Sequence, residues 1–246
     1  MKNAIVVFLM LASVVFARAQ DSSLTKKSRK DWSKVNLANR PKDHFLLQVG
    51  YGTWTKRPDS IVTAGIPISY NFYFMMDFPF KSSPQYSVAV GAGIATDNQS
   101  FDKTYIDISG SKTNKIGFIN VADTNHFKKY RLTTTYAEAP IELRFTSDPV
   151  SNLKSWKAAL GVKVGTIIGA GTRGKNLVDK NGNTVNAYVL KERSKRYINS
   201  TRISIMGRFG YGIVSVYASY QINTFFKEGT GPDVRPLQVG ITISGL

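Results

Sequence analysis

The sequence predicts an all-β protein, an eight-stranded antiparallel up-and-down transmembrane β-barrel. Three observations carry this reading. Apolar and polar residues alternate with a period of two through eight segments (44–56, 66–80, 85–97, 130–146, 155–172, 196–210, 212–226 and 234–244), and no stretch shows a convincing 3.6-residue period. Most of these segments run to ten or more residues. That is longer than the ~5–6 residues usual in globular sheets and suits the roughly 9–11 tilted residues that cross a bilayer. Longer and shorter links alternate between the segments, as in barrels with short turns on one side of a membrane and long loops on the other.

The chain opens with Lys2, an apolar run of 13 residues at 4–16, and the small-x-small site Ala17-Arg18-Ala19. This pattern is that of a secretory signal peptide cleaved after Ala19. The run is shorter than the ~20 apolar residues that a membrane anchor needs. Residues 20–42 read as a polar, basic periplasmic tail with a single Trp32, and alternation starts at His44. The links are 57–65, the tight Lys81-Ser82-Ser83-Pro84, the long 98–129, the short 147–154, the long 173–195, a very tight turn near Tyr211, and 227–233. Asn181-Gly182 is expected to form a two-residue type I′ turn at the tip of a long hairpin. An even strand count returns both termini to the periplasm. The expected domains are the signal peptide (1–19), the tail (20–42) and the outer-membrane barrel (43–246).

Parity separates two faces. In the second segment the even positions are Ile66, Ile68, Tyr70, Phe72, Phe74, Met76, Phe78 and Phe80, whereas the odd ones include Ser69, Asn71, Tyr73 and Asp77. Similar division holds in the third, fifth, seventh and eighth segments. A secreted soluble barrel would turn the apolar face inward, and a membrane barrel would turn it outward. Two details favour outward. The polar face is rich in Gly, Ala and Ser, which suit a narrow eight-stranded interior. The apolar face carries Phe78, Phe80, Tyr86, Phe145, Trp156 and Phe209 beside the short turns, the position of an aromatic girdle at a membrane interface.

The inward charges are then Asp77, Glu138, Glu142, Arg144, Lys163, Arg202 and Arg208. An unpaired charge in a narrow lumen is costly, so these are expected to pair. With the turn of the fourth hairpin centred near Val150–Ser151, Glu138 falls opposite Lys163, and Arg202 falls opposite Gly161. The expectation is a Glu138/Lys163/Arg202 cluster at mid-barrel and an Asp77/Glu142/Arg144/Arg208 group toward the periplasmic end. Such a network reads as a structural plug, the alternative being a gated or selective pore.

The 33 basic against 16 acidic residues give a formal charge of +17, the mean hydropathy is −0.17, and there is no Cys. A disulfide framework, a thiolate metal site and a cysteine nucleophile are therefore excluded. Removal of Lys2 and Arg18 with the signal peptide lowers the charge by two, to +15. Much of the surplus sits in the tail and in the link 173–196, where parity points Lys191, Arg193 and Lys195 outward beyond the apolar band. These three are candidates for contact with lipopolysaccharide phosphates, against the alternative of an ordinary solvated loop. His44 and His126 are the two histidines; His44 begins the first segment, and His126 has Asp123 and Thr124 nearby but no Ser at a suggestive spacing. A lipid A-modifying enzyme is thus a minor alternative. No metal, cofactor or nucleic-acid site is expected.

The residues also resemble a known family. Residues 130–145, YRLTTTYAEAPIELRF, are similar to the strand with a Tyr-x-Glu-x-Pro-x-Glu core in the Bacteroidota outer-membrane β-barrel domain family, the PorT-like group. WKAALGVKVG at 156–165 resembles that family's following strand, and VRPLQVGITISGL at 234–246 its closing strand. The likeness covers about 43–246. It implies the barrel fold and, from the best-known members, a role in protein secretion across the outer membrane. The resulting expectation is a non-enzymatic, monomeric barrel with a structural or interaction role. Its expected partners are outer-membrane lipids, lipopolysaccharide and secretion or envelope proteins, and a narrow pore for small solutes is the alternative.

Overall fold

The computed structural model describes residues 44–59, 61–110 and 114–245, so the expected signal peptide and basic tail lie outside the described residues. Eleven strands follow one another: β1 (Phe45–Thr55), β2 (Ile68–Pro79), β3 (Tyr86–Phe101), β4 (Thr104–Asp107), β5 (Gly117–Asn120), β6 (His126–Thr146), β7 (Trp156–Val178), β8 (Thr184–Arg193), β9 (Thr201–Tyr211), β10 (Val214–Gln221) and β11 (Arg235–Ser244). Eight of them (β1, β2, β3, β6, β7, β9, β10 and β11) pair antiparallel in sequence order. The pairing of β1 with β11 and of β6 with β7 closes them into a ring. No helix among the described residues is long and apolar enough to cross a membrane.

The alternation produces the two faces directly, because successive side chains of a strand point to opposite sides. On β1, Leu46 and Gln48 are buried while Phe45, Leu47 and Val49 are exposed. On β10, Ser215, Tyr217 and Ser219 are buried while Val214 and Val216 are exposed. The polar face therefore points into the ring and the apolar face points out.

Tight turns join strands at one end. At the β9–β10 connection Gly212 occupies the first central position of a two-residue turn with φ of 62°. A type II′ hairpin requires that left-handed residue, and glycine adopts it without a Cβ clash. The Asn181-Gly182 tip differs from the expected type I′ turn. Gly182 alone has positive φ, and its N–H donates to the Asp179 carbonyl at 3.0 Å. The loop is the three-residue kind, a turn followed by one left-handed residue. The Asp179 carboxylate accepts from the Asn183 side chain and from the backbone N–H groups of Asn183 and Asn181. Those contacts, the Asn183 side chain first, hold its pKa below the usual value.

The link 98–129 is not the plain loop expected. β3 continues to Phe101, β4 and β5 form a separate hairpin, and β6 begins at His126. β6 has 21 residues and β7 has 23, about twice the length that crosses a bilayer. Above Thr166 β7 leaves β9, while β6 stays paired with β3 up to Tyr130; β8 takes the far side of β7 from Gly171 onward, and the three strands form an arm there.

A bulge separates the two halves of β7. Tyr136 pairs with Ile167, but Thr135 pairs with Gly169, so Ile168 is the extra residue. Below it the odd residues of β7 (Lys157, Ala159, Lys163, Ile167) are buried, and above it the even ones (Ala170, Thr172) are. One inserted residue thus reverses which side chains face out.

Close packing inside the ring depends on glycine opposite tyrosine. A Cβ on Gly93 would collide with the Phe72 carbonyl and would lie 2.5 Å from Tyr73 Cδ1. Gly93→Val is therefore expected to destabilise the fold by about 3 kcal/mol, at the upper end of overpacking costs. The check is the urea midpoint of the protein folded into phospholipid vesicles.

Candidate functional site

Five strands meet at the mid-height of the ring, four through charged side chains and β2 through a tyrosine hydroxyl. Glu138 on β6 lies 3.6 Å from Lys163 Nζ on β7 and 3.4 Å from Arg202 Nη1 on β9. Arg202 also donates to Asp97 Oδ2 on β3 at 2.8 Å. The Tyr73 hydroxyl on β2 donates to Glu138 Oε2 at 2.6 Å and accepts from Lys163 at 3.3 Å. The Arg202 guanidinium lies over the Tyr136 ring, 5.0 Å from its centroid. Glu138, Lys163 and Arg202 are all buried, so each cation needs its carboxylate.

From this cluster a chain of amides runs across the lumen. Gln238 on β11 donates to Asp97 Oδ1 at 2.6 Å. Asn71 on β2 donates to the side-chain oxygens of Gln238 and Gln48, each at 3.2 Å. Gln48 on β1 donates to Thr242 at 3.1 Å. The network therefore ties β11 and β1 to β2, β3, β6, β7 and β9, which includes the seam where the first and last strands meet.

A second cluster lies nearer the short turns. Arg144 Nε donates to Glu142 Oε2 at 2.7 Å, and Arg208 Nη2 donates to the same oxygen at 3.1 Å. Arg144 Nη1 is 3.6 Å from Asp77 Oδ1, which accepts from Ser87 at 2.7 Å. Asp77 on β2, Glu142 and Arg144 on β6, and Arg208 on β9 are thus one connected group.

The registers differ from those expected. Glu138 pairs with Gly165, not Lys163, and Arg202 also pairs with Gly165, not Gly161. A short 3-10 turn, Asn152–Lys154, sits in the β6–β7 connection and shifts that pairing by two residues, whereas Arg202 is displaced by four, across the link 194–200 between β8 and β9. A two-residue slip keeps every side chain on its own face. Lys163 therefore stays inside the ring and reaches Glu138 diagonally.

Two inner-face charges stand outside the expected set, the half-buried Asp97 and the buried Lys157. Both follow the inward parity of their strands. Asp97 falls at the expected end of the third segment, whereas β3 continues past it to Phe101. The amides Gln48, Asn71 and Gln238 were legible as inner-face positions, but pattern alone does not show that they bond in series.

The end of the ring with the long connections is filled by an apolar cluster. Trp54, Phe101, Phe118, Phe225 and Phe226 pack with ring centroids 4.9–6.5 Å apart. Ile106 and Ile108, on and just after β4, and Ile61 join the same cluster. Hairpin β4–β5 is held over it by Ile116 N–H donating to the Thr230 carbonyl at 2.7 Å. Tyr105 turns toward β8 and donates to Glu192. Burial, and next that bond, push its hydroxyl pKa above the ordinary value. Between this cap and the charged layer is a cavity of about 20 Å³, lined by Trp54, Ser69, Asp97, Gln99, Phe225 and Gln238 among others. That volume accommodates roughly one water, which is far from a solute passage.

The six aromatics expected beside the short turns face outward there. Tyr86 packs on Phe145 at 5.3 Å, and Trp156 stacks on Phe209 at 5.4 Å. Phe78 and Phe80 are exposed at the same end. Lys191 and Arg193 are exposed on β8, and Lys195 is exposed just after it. All three belong to the arm beside β7, not to an upward continuation of β9. His44 stacks on Phe74 and its Nδ1 lies 2.9 Å from the Met75 carbonyl. His126 Nδ1 lies 3.0 Å from the Thr124 carbonyl. Among the described residues no group of three His, Cys, Asp or Glu is placed to hold a metal.

No protein-family model matches the chain, and no curated protein matches it. The functional reading therefore rests on the geometry and on the strand patterns quoted above.

Proposed function

We propose that the chain is a non-enzymatic outer-membrane β-barrel with a sealed interior, acting as a structural or interaction protein of the cell envelope. The observation that carries this is the outer surface. Leu47, Phe72, Met76, Ile94, Ile141, Leu160, Val162, Ile205, Val216 and Ile241 are all exposed and spread over every strand of the ring. Leu160 is 71% exposed and Val216 60%. A water-soluble monomer rarely exposes a continuous apolar patch beyond a few hundred Å². Each such side chain gains ~1.5–3 kcal/mol on leaving water, so a belt of this extent calls for a lipid environment. Ion pairs inside and apolar residues outside are the membrane barrel's arrangement.

The signal-peptide pattern supports export, and the tight turns and outward aromatics support a periplasmic rim at that end. The likeness to PorT-like strands supports a part in protein secretion across the outer membrane. The cap and the ion-paired layer favour a plug over a pore. Unheated protein is expected to migrate faster than boiled protein in an SDS gel, as a closed ring that resists detergent, and identical migration would oppose the reading. In planar bilayers no steady, resolved conductance is expected, and steady unitary currents would replace the plug with a pore. Affinity isolation from gently solubilised envelopes is expected to recover secretion-system proteins, and recovery of none above background would remove the secretion role.

A further inference from the structure

The arm formed by β6, β7 and β8 carries a basic ladder that the ring does not need. Lys129 pairs directly with Lys175, and Arg131 pairs with Arg173. Arg173 pairs in turn with Lys191, and Gly171 pairs with Arg193. Directly paired residues share one face of a sheet. All six basic side chains are exposed, and they lie on the outward face. Among the described residues none of the six has a carboxylate oxygen within 4.0 Å. The neighbouring acid Glu192 is turned to the opposite face, where it accepts from Tyr105 and Thr172.

Like charges placed directly opposite each other destabilise a sheet. The Lys129/Lys175 pair and the three-residue row Arg131/Arg173/Lys191, two residues apart on the same face, are therefore a standing electrostatic cost. A bound polyanion relieves that cost, and two open depressions give one room. One, of about 520 Å³, is lined by Thr133, Thr135, Ile168, Arg173, Lys191 and Arg193 among others. The second, of about 500 Å³, is lined by Lys128, Lys129, Arg131, Arg173 and Lys175, with Asp102 as its acidic member. Arg173 belongs to both.

The position of the ladder selects the kind of anion. Ile168, at the foot of the first depression, is the top of the outward apolar row of β7 that begins at Trp156. From 156 to 168 the strand covers ~40 Å at about 3.3 Å per residue, or roughly 30 Å of height at a tilt near 40°. That height matches a bilayer's hydrocarbon core of about 30 Å. Arg173 comes five residues later, at headgroup height. The ligand therefore needs phosphate above and acyl chains below. The bulge at Ile168 makes this possible, since without the extra residue Arg173 and Lys175 would point into the ring.

We propose that Lys129, Arg131, Arg173, Lys175, Lys191 and Arg193 form a binding site for the phosphorylated headgroup of an outer-leaflet lipid, with one phosphate in each depression. This rests on the membrane reading above. The test uses the full chain folded in neutral detergent and a bis-phosphorylated lipid A as probe, with binding read by native mass spectrometry. Arg131→Gln/Arg173→Gln/Lys191→Gln is compared with Lys154→Gln/Lys180→Gln/Lys227→Gln, which removes equal charge elsewhere. The first variant is expected to weaken binding by about tenfold or more, as loss of a charge-assisted contact does. The second is expected to bind like wild type, and dephosphorylated lipid A is expected to bind about tenfold more weakly. Equal losses in both variants, equal binding of dephosphorylated lipid, or full competition by millimolar inorganic phosphate would each overturn the site. Heat-dependent gel migration of the same samples separates the two failures. Its loss in wild type would overturn the membrane reading and the site together, whereas its presence with any of those binding results would overturn the site alone.

Discussion

Glu138→Ala is expected to lower the stability of the folded ring by about 3–5 kcal/mol, the cost of leaving a buried charge without its partner. Glu138 is the carboxylate shared by Lys163 and Arg202, and Arg202 keeps Asp97 while Lys163 keeps only the Tyr73 hydroxyl. The stranded charge is therefore mainly that of Lys163. Combining Glu138→Leu with Lys163→Leu removes both members of that pair and is expected to cost far less, because apolar replacements of a buried pair are often neutral. Urea unfolding of the protein in phospholipid vesicles measures both. A loss below about 1 kcal/mol for Glu138→Ala would be the value of a solvated surface pair and would contradict a sealed interior.

Val162→Arg is expected to cost about 2–4 kcal/mol in a bilayer, the penalty for a cation at mid-depth on the lipid face of a barrel. Val162 lies halfway between Trp156 and Ile168 on the outward row of β7 and is 42% exposed. Thr133→Arg, at the foot of the basic arm, is expected to cost only ~0–1 kcal/mol because the proposed membrane placement puts it at the interface. The depth dependence is the diagnostic. On a protein surrounded by water both changes would fall within about 0.5 kcal/mol of zero. Equal small effects at the two positions, measured by the same unfolding assay in vesicles, would place water outside the ring.

Alternation with period two made the ring legible in the sequence. The residues Phe72, Phe74 and Met76 against Asn71, Tyr73 and Met75 needed no partner strand to declare their faces. Because parity survives any even-numbered slip, the inner charges were also legible although the two expected registers were displaced by two and four residues. What parity does not see is a single inserted residue. The bulge at Ile168 reverses the faces of the upper half of β7, so Arg173 and Lys175, which lay beyond the expected strand end at 172, would have read as inward even on a longer strand. Lys129 lay outside its assumed strand for a related reason: β6 extends past the apolar band, so its outer end loses the hydrophobic contrast that marks a membrane segment.

The cap was illegible for a different reason. β4 and β5 have four residues each, too few for alternation to stand out, and their stability comes from packing Ile106 and Phe118 into a cluster with Trp54 and Phe226. Those partners come from the end of β1 and from the stretch after β10, and no local pattern announces that they meet. The same is true of the amide series Gln48, Asn71 and Gln238, whose members come from three strands. Local pattern sets which way a side chain points, and only the closed ring decides what it touches.

The central claim is that lipid lies outside the ring and a packed polar layer inside. The sequence contains no Cys, so single cysteines introduced along β7 can carry a nitroxide without background. Power-saturation electron paramagnetic resonance in phospholipid vesicles then compares oxygen with a water-soluble nickel chelate as relaxing agents. The account predicts that labels at Leu160, Val162 and Val164 are reached by oxygen and not by nickel, whereas a label at the exposed Lys180, just past the end of β7, is reached by nickel. Nickel access at Leu160, Val162 and Val164 would contradict it.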